Sequence, residues 1–468
     1  MDSHLHIHLD RTAKQSLSEQ IRLSVIKAIE SGVLVPGSRL PSWQDLAAQL
    51  GVSRGTVQAA YERLSDTRTI EAFGAAGTRV ALRRRVRTAQ PEAPPLSAFM
   101  RTYLEMNAGP AIFQLGTPAL GLPEKLFARA RSSNLLKPGP FSSLVHPDPR
   151  GEFELRREIA WYLSISRNLH CIPEQVFITS GYRSGLGLAL QVLGLDGKKV
   201  WMEEPGFVVT RKGLELARLN VVPVPVDAEG LDVGYGIENA ADAALAVVTP
   251  GQQAPEGSTL SLRRRVRLLE WAVSSNAWII EDDYLGALKL EGRAAPALAS
   301  MDGGERVIHI GSFSTTLSLG LRLGFVVAPV ALIEAFSDVV ATLAPAPSPI
   351  LQLATAQFMH SGHFIRRVRR LKLLYAAQRD ALCEQLRIHN AAWTGAGLAI
   401  LLKLPDGAPD VPIVHESRRF GMAPSPLSAW FATSSRARPG LLLGVATAPE
   451  PQLAASCRRL FEIIDRYR

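Results

Sequence analysis

At 468 residues, 47% of them apolar and 20% charged, the chain has the composition of a soluble globular protein and is too long for one hydrophobic core, which stops growing at roughly 250–300 residues. Three cysteines, Cys171, Cys383 and Cys457, are too few and too scattered for a disulfide framework, and no run of about 18 apolar residues marks a membrane span. The net charge of +9 is unevenly placed: residues 1–90 hold thirteen Lys/Arg against eight Asp/Glu, which suits either a nucleic-acid partner or a solvated basic face.

The opening stretch from Met1 to His8 lacks the cationic and apolar regions of a signal peptide, so the cytoplasm is the expected location. Leu17, Ile21, Val25, Ala28 and Ile29 have helical spacing; Ser31-Gly32 ends that helix, and Pro36-Gly37 lies in the following loop. Ser42 is placed to cap a second helix with Leu46, Ala47 and Leu50 inside. Gly51 breaks it, and Ser53 is placed to cap a third with Val57, Ala60, Tyr61 and Leu64 inside. Two short helices joined by a tight glycine turn form a helix-turn-helix. Thr69 to Phe73 and Thr78 to Ala81, flanking Gly74-Ala75-Ala76-Gly77, predict a small hairpin, or wing.

The runs Pro36-Gly37-Ser38-Arg39-Leu40-Pro41-Ser42 and Leu46 to Val57, with Tyr61 and Leu64, resemble a GntR-type winged helix, giving a DNA-binding domain over 10–81 and a double-stranded operator as partner. The third helix would enter the major groove, with Arg54 able to bond guanine in bidentate fashion and Thr56 and Gln58 within reach of bases or phosphates. Ser42 and Ser53 suit phosphates at helix starts or serve only as caps. Arg39 and the backbone at Gly77 are candidate backbone and minor-groove contacts, unless Arg39 pairs with an acid.

Residues 82–111 read as a tether, with Arg83, Arg84, Arg85 and Arg87 followed by Pro91, Pro94 and Pro95. Those arginines either contact phosphates or are merely solvated. From residue 112 short apolar strands alternate with helices. Strands are expected at Val176–Thr179, Lys199–Met202, Val221–Pro225, Leu245–Val248, Ala277–Glu281, Val307–Ile310 and Gly324–Ala328, with helices near 151–165, 184–193, 208–217 and 262–274. This pattern predicts an α/β domain over 112–468 with a largely parallel sheet, whose ligands bind beyond the carboxyl ends of the strands.

Four motifs fall at those ends. Ser180-Gly181-Tyr182-Arg183 runs from strand to helix and offers free N–H groups to a phosphate. Phe207, after Glu203-Glu204-Pro205-Gly206, either supports a flat aromatic ligand or packs in the core. Asp282 and Tyr284, in Glu281-Asp282-Asp283-Tyr284, suit a protonated pyridine nitrogen and a ring hydroxyl, or belong to a loop of capping acids. The segment from Val307 to Gly324 contains Ser312, Ser314, Thr315 and Arg322.

These motifs, with His146-Pro147-Asp148-Pro149-Arg150-Gly151 and Leu155-Arg156, resemble a fold-type I aminotransferase domain, and the whole chain resembles a MocR-type transcriptional regulator. The resemblance implies a homodimer whose aminotransferase-like domain senses a small-molecule effector. It places Asp282 at the pyridine nitrogen of pyridoxal phosphate, Tyr284 at the ring hydroxyl, and Ser180, Gly181, Ser312, Ser314 and Arg322 around the phosphate. Thr315 stands where the family carries its cofactor lysine, and a threonine has no amine. Further departures are Ala254 in Pro250-Gly251-Gln252-Gln253-Ala254-Pro255, His146 in place of an aromatic residue, Arg183 in place of glutamine, and Leu442 near the family's carboxylate-binding arginine, with Arg436 and Arg438 close by. The reading is a regulator that catalyses no transamination and holds pyridoxal phosphate non-covalently, or binds another anionic or amino compound. The alternatives are an aminotransferase using a substitute such as Lys289, and a ligand-free dimerisation scaffold.

Overall fold

The computed structural model describes residues 7–13, 15–82, 94–125, 127–128, 132, 146–286, 288–290, 292 and 294–467. They fall into two compact units, Met1–Leu96 and Ser97–Arg468. Arg83, Arg84, Arg85 and Arg87, expected in the tether, lie outside the described residues.

In the first unit, α1 (Leu17–Glu30) buries Ile21 and Val25. Helix α2 (Trp43–Leu50) starts at Ser42, whose Oγ accepts from the Asp45 N–H, and stops at Gly51 with φ 60°. Helix α3 (Arg54–Asp66) is capped in the same way by Ser53 and buries Val57, Ala60, Tyr61 and Leu64, as the apolar spacing requires. Strands β1 (Ile70–Ala72) and β2 (Thr78–Val80) pair antiparallel, with Arg39 bridged to Arg79 along the outer edge. Side chains from α1, α2, α3 and both strands share one small core.

The second unit begins with α4 (Ala98–Met106), capped by Ser97, where the sequence suggests tether. None of its residues is buried, so it lacks the wholly buried stripe that marks a helix in sequence. Next come α5 (Phe153–Arg167), β3 (Val176–Thr179), α6 (Tyr182–Leu193), β4 (Lys199–Glu204), α7 (Val208–Leu216), β5 (Asn220–Asp227) and β6 (Gly230–Leu231). After α8 (Val233–Ala240), strand β7 (Leu245–Val248) leads to α9 (Leu262–Ser274), β8 (Trp278–Asp282), β9 (Val307–Ser312) and β10 (Gly324–Val327). Helices α10 (Ile333–Thr342), α11 (Pro349–His360) and α12 (His363–Ile388) precede β11 (Trp393–Ala396), β12 (Ala399–Lys403), α13 (Asp410–Arg418), β13 (Ser425–Pro426), β14 (Gly440–Gly444) and α14 (Glu450–Arg466).

Among the described residues the main sheet has eight strands in the order β3-β10-β9-β8-β7-β4-β5-β6. Strands β9, β8, β7, β4 and β5 are mutually parallel, whereas β10 runs antiparallel to both β3 and β9. Successive side chains point to opposite faces, so Trp201, Ala246 and Ile279 enter one core while Val200, Met202, Val247 and Ile280 enter another. A second sheet, β11-β12-β14-β13, is antiparallel throughout.

The strand register brings the ligand motifs together. Gly324 opens β10 opposite Thr179 of β3 and Ser312 of β9. A Cβ at Gly324 would lie 2.8 Å from the Gly181 Cα, so only glycine lets β10 approach this strand-to-helix turn so closely.

Candidate functional site

A cavity of about 520 Å³ opens beyond the carboxyl ends of β3, β8 and β9, within the range that holds small-molecule ligands. Tyr182, Arg183, Phe207, Asp282, Tyr284, Ser312, Ser314, Thr315 and Arg322 all line it. Ser180 and Gly181 do not line it themselves; they end β3 and open α6, with Gly181 at φ 90° as the N-cap. The first N–H groups of α6 have no intrahelical acceptors and carry the positive end of the helix dipole.

Arg322 adds a cation beside this helix start and forms with it a candidate anion cup. Its backbone is left-handed (φ 49°), its side chain is exposed, and its guanidinium makes no hydrogen bond among the described residues. Nη1 stands 4.0 Å from the position a Cβ would take on Gly181. Ser312 Oγ donates to Ser314 Oγ at 2.9 Å and accepts from the Ser314 N–H at 3.1 Å. Two hydroxyls, a free guanidinium and a helix start therefore converge where β3, β10 and β9 adjoin.

The acidic run divides by role. Glu281 accepts the N–H groups of Leu298 and Ala299 and faces His309 Nδ1 at 3.0 Å; despite burial, His309 draws its carboxyl down to about 2. Asp283 takes two hydrogen bonds from Arg167. Asp282 has no cationic partner: Tyr182 bonds its carboxyl but its Oδ1 is buried without a partner, and burial, then the charges of Asp283 and Glu203, push that carboxyl well above the usual range. A buried carboxylate oxygen facing a cavity in this state favours a cationic N–H.

Around Asp282 lie two phenols and a second buried carboxyl. Burial raises both Tyr182 and Tyr284 well above an ordinary phenol, and the Tyr182 hydroxyl lies 2.9 Å from Thr210 Oγ1. Glu203, fully enclosed, is pushed up to about 7 by burial although Thr249 donates to it twice. Thr315 donates its hydroxyl to the Tyr284 carbonyl at 3.3 Å. Phe207 is half-buried and packs on Trp430, ring centroids 5.7 Å apart, so it both packs and presents a face to the cavity.

Among the described residues no lysine lines the cavity; Lys289 lines a separate cleft of about 10 Å³ beside Asp282 and Asp283. Arg436 bonds the Tyr235 hydroxyl and Arg438 pairs with Glu256, and neither lines the cavity. His146 does not line it either. Asp148, from the stretch around His146, pairs with both Arg150 and Arg156. Residues from distant segments were missed by sequence reasoning: Tyr103 and Met106 of α4, Tyr375, Arg418 and Trp430. Arg183 lies over the Tyr103 ring at 4.9 Å, and Arg418 pairs with Glu105 at 2.8 Å. Residues 98–106 fall in the stretch read as a tether, so that reading gave no pointer to Tyr103 or Met106.

In the first unit Arg54 and Gln58 are exposed and Thr56 half-buried on α3. Gln58 bonds Glu62, and Ser53 Oγ lies 2.8 Å from Thr56 Oγ1. Ser42 donates to Asp45, so its hydroxyl is engaged in the cap. Arg39 forms no ion pair among the described residues and lies beside Gly77, where a Cβ would be 2.9 Å from its Nε. The fold thus brings Arg39, ahead of α2, beside Gly77 of the wing.

Residues 17–80 match the gntR family of bacterial regulatory proteins, and residues 142–405 match the aminotransferase class I and II family. The chain is 32% identical over 463 residues to the probable rhizopine catabolism regulatory protein MocR of Rhizobium meliloti, covering 94% of this chain and 92% of that protein. It is 33% identical to the HTH-type transcriptional regulator TauR of Rhodobacter capsulatus, with 82% of each chain covered. Among solved structures, an archaeal alanine:glyoxylate aminotransferase superposes with a TM-score of 0.71 at 24% identity, covering 79% of this chain and 94% of that one, which shows the shared fold. No described helix is long and apolar enough to cross a membrane. With a winged helix ahead of an aminotransferase fold, the chain belongs to the MocR-type transcriptional regulators.

Proposed function

We propose that this regulator binds an operator through α3 and the wing as a cytoplasmic homodimer, and that its second unit captures pyridoxal phosphate non-covalently without transaminating. The division runs 10–81 for DNA binding and 112–468 for ligand binding and dimerisation, with α4 added to the ligand side. One observation carries the reading: the cavity joins an anion cup to the unpartnered oxygen of Asp282, yet no described lysine lines it.

The donor set fits the cofactor. Asp282 would hold the pyridine N–H, Tyr284 the ring hydroxyl and Phe207 the ring face, while Ser180, Gly181, Ser312, Ser314 and Arg322 would take the phosphate. When bound, the cofactor supplies an aldehyde reactive toward primary amines. Thr315, occupied with the Tyr284 carbonyl, offers it no nitrogen nucleophile. On DNA, Arg54 would read a guanine and Thr56 and Gln58 neighbouring bases or phosphates. Ser53, Ser42, Arg39 and the Gly77 backbone would set the register on the phosphates.

Calorimetry with pyridoxal phosphate, followed by borohydride reduction and mass analysis of the intact chain, tests the ligand reading. Saturable heat with no reduced adduct is expected. An adduct on Lys289 or any other lysine overturns the non-covalent reading, and no heat favours another ligand or none.

A further inference from the structure

The walls of the cavity divide by chemistry. Asp282, Ser312, Ser314 and Arg322 make one end polar, whereas the second sheet presents hydrocarbon. Strand alternation explains that wall. Ile400 and Leu402 of β12, with Leu441 and Leu443 of β14, enter the main core. Ala399 and Leu442 turn the other way and join Ala396 in a separate cluster that includes Trp430 and touches Phe207 and Ala254. Leu442 is fully buried among these groups.

The charged cavity-lining residues, among those described, are Arg183, Asp282, Arg322 and Arg418. Asp282 and Arg322 belong to the polar end, Arg183 lies over the Tyr103 ring, and Arg418 pairs with Glu105 through Nη1 while its buried Nε has no partner. None belongs to the apolar cluster around Leu442. A carboxylate placed against this cluster would lose its water and find no charged partner within it, while an apolar group would gain contact on several sides.

We propose that this wall receives an uncharged aromatic or branched-aliphatic group of the effector, continuous with an anionic pyridine end held in the cup. The inference rests on the cup being a pyridoxal-phosphate site. It makes the sensed compound an apolar amine rather than an amino acid whose carboxylate is read at this position.

Calorimetry on the full-length chain with four probes tests this: pyridoxal phosphate, and the stable reduced phosphopyridoxyl derivatives of phenethylamine, phenylalanine and 4-aminobutyrate. The phenethylamine derivative is expected to bind at least tenfold tighter than pyridoxal phosphate and than either carboxylate derivative. Leu442→Arg should reverse the order between phenethylamine and carboxylate derivatives. Ala399→Leu, which narrows the wall without adding charge, should weaken the phenethylamine derivative at least fivefold relative to pyridoxal phosphate and covers the case in which Leu442→Arg does not fold. Equal or tighter binding of the carboxylate derivatives to the unaltered chain overturns the inference while leaving the cup intact, and would point to Arg418, whose buried Nε has no partner. An equal loss for both ligands in Ala399→Leu also overturns it. Failure of pyridoxal phosphate and every derivative to bind removes the cup and the inference together.

Discussion

Arg167 Nε and Nη2 each lie 2.9 Å from an oxygen of Asp283, and this doubly bonded pair has side chains only 2% and 8% exposed. It ties the end of α5 to the loop after β8, where Arg167 also bonds the Ala295 carbonyl. Replacing Arg167 with methionine leaves a buried carboxylate without its partner and should cost about 3–5 kcal/mol of stability. Denaturant unfolding checks this, and a loss below about 1 kcal/mol would show that the pair is dispensable.

Asp282 should respond in the opposite sense. Its Oδ1 has no partner, so Asp282→Asn removes a buried charge site that the fold does not satisfy. The melting temperature should hold or rise while affinity for pyridoxal phosphate falls at least tenfold, read by thermal melts and calorimetry on the same preparation.

Stability should depend on pH through Glu203, whose carboxyl is raised from about 4.5 to about 7 in the folded chain. The folded state holds this proton more firmly, so its contribution is fully present below about pH 4.5 and is lost as pH rises through 7. The change is on the order of 3 kcal/mol at 1.36 kcal/mol per tenfold change in proton affinity. Asp282, also raised, acts in the same direction; Glu281, lowered to about 2, contributes stability that is present above about pH 4.5 and is lost progressively as pH falls from there through 2. Unfolding free energies at pH 5 and pH 8 should differ in this sense for the native chain and much less for Glu203→Gln.

On DNA, Arg54→Ala should cost about 1–3 kcal/mol and relax preference at one base position, whereas Arg39→Ala should weaken all sequences alike and reduce the salt slope by about one. Binding titrations on a randomised operator set at two salt concentrations separate the two. Uniform weakening by Arg54→Ala would make it a phosphate contact.

Helices with full apolar faces and strands buried on both sides were legible in sequence: α9 at Leu262–Ser274 and β3 and β7 have the predicted bounds. The second sheet was not legible, because β11 is Trp-Thr-Gly-Ala, β13 has two residues, and Leu441-Leu442-Leu443 is an apolar run without a period. The reversed direction of β10 is invisible in local composition. Its signal was the segment between Ser312 and Gly324, too short for a helical crossover between parallel strands. In the acidic run, sequence pointed to Asp282, but only the partners of Glu281 and Asp283 show why it is the one left facing the cavity.

Arg322 sets function against stability. An arginine with φ 49° pays a backbone penalty of roughly 1 kcal/mol that glycine would not. Arg322→Gly should therefore raise the melting temperature and abolish anion binding together. A chain serving only to join two copies would gain from that exchange and lose nothing. On the proposed reading, the arginine present serves the ligand at the expense of the fold.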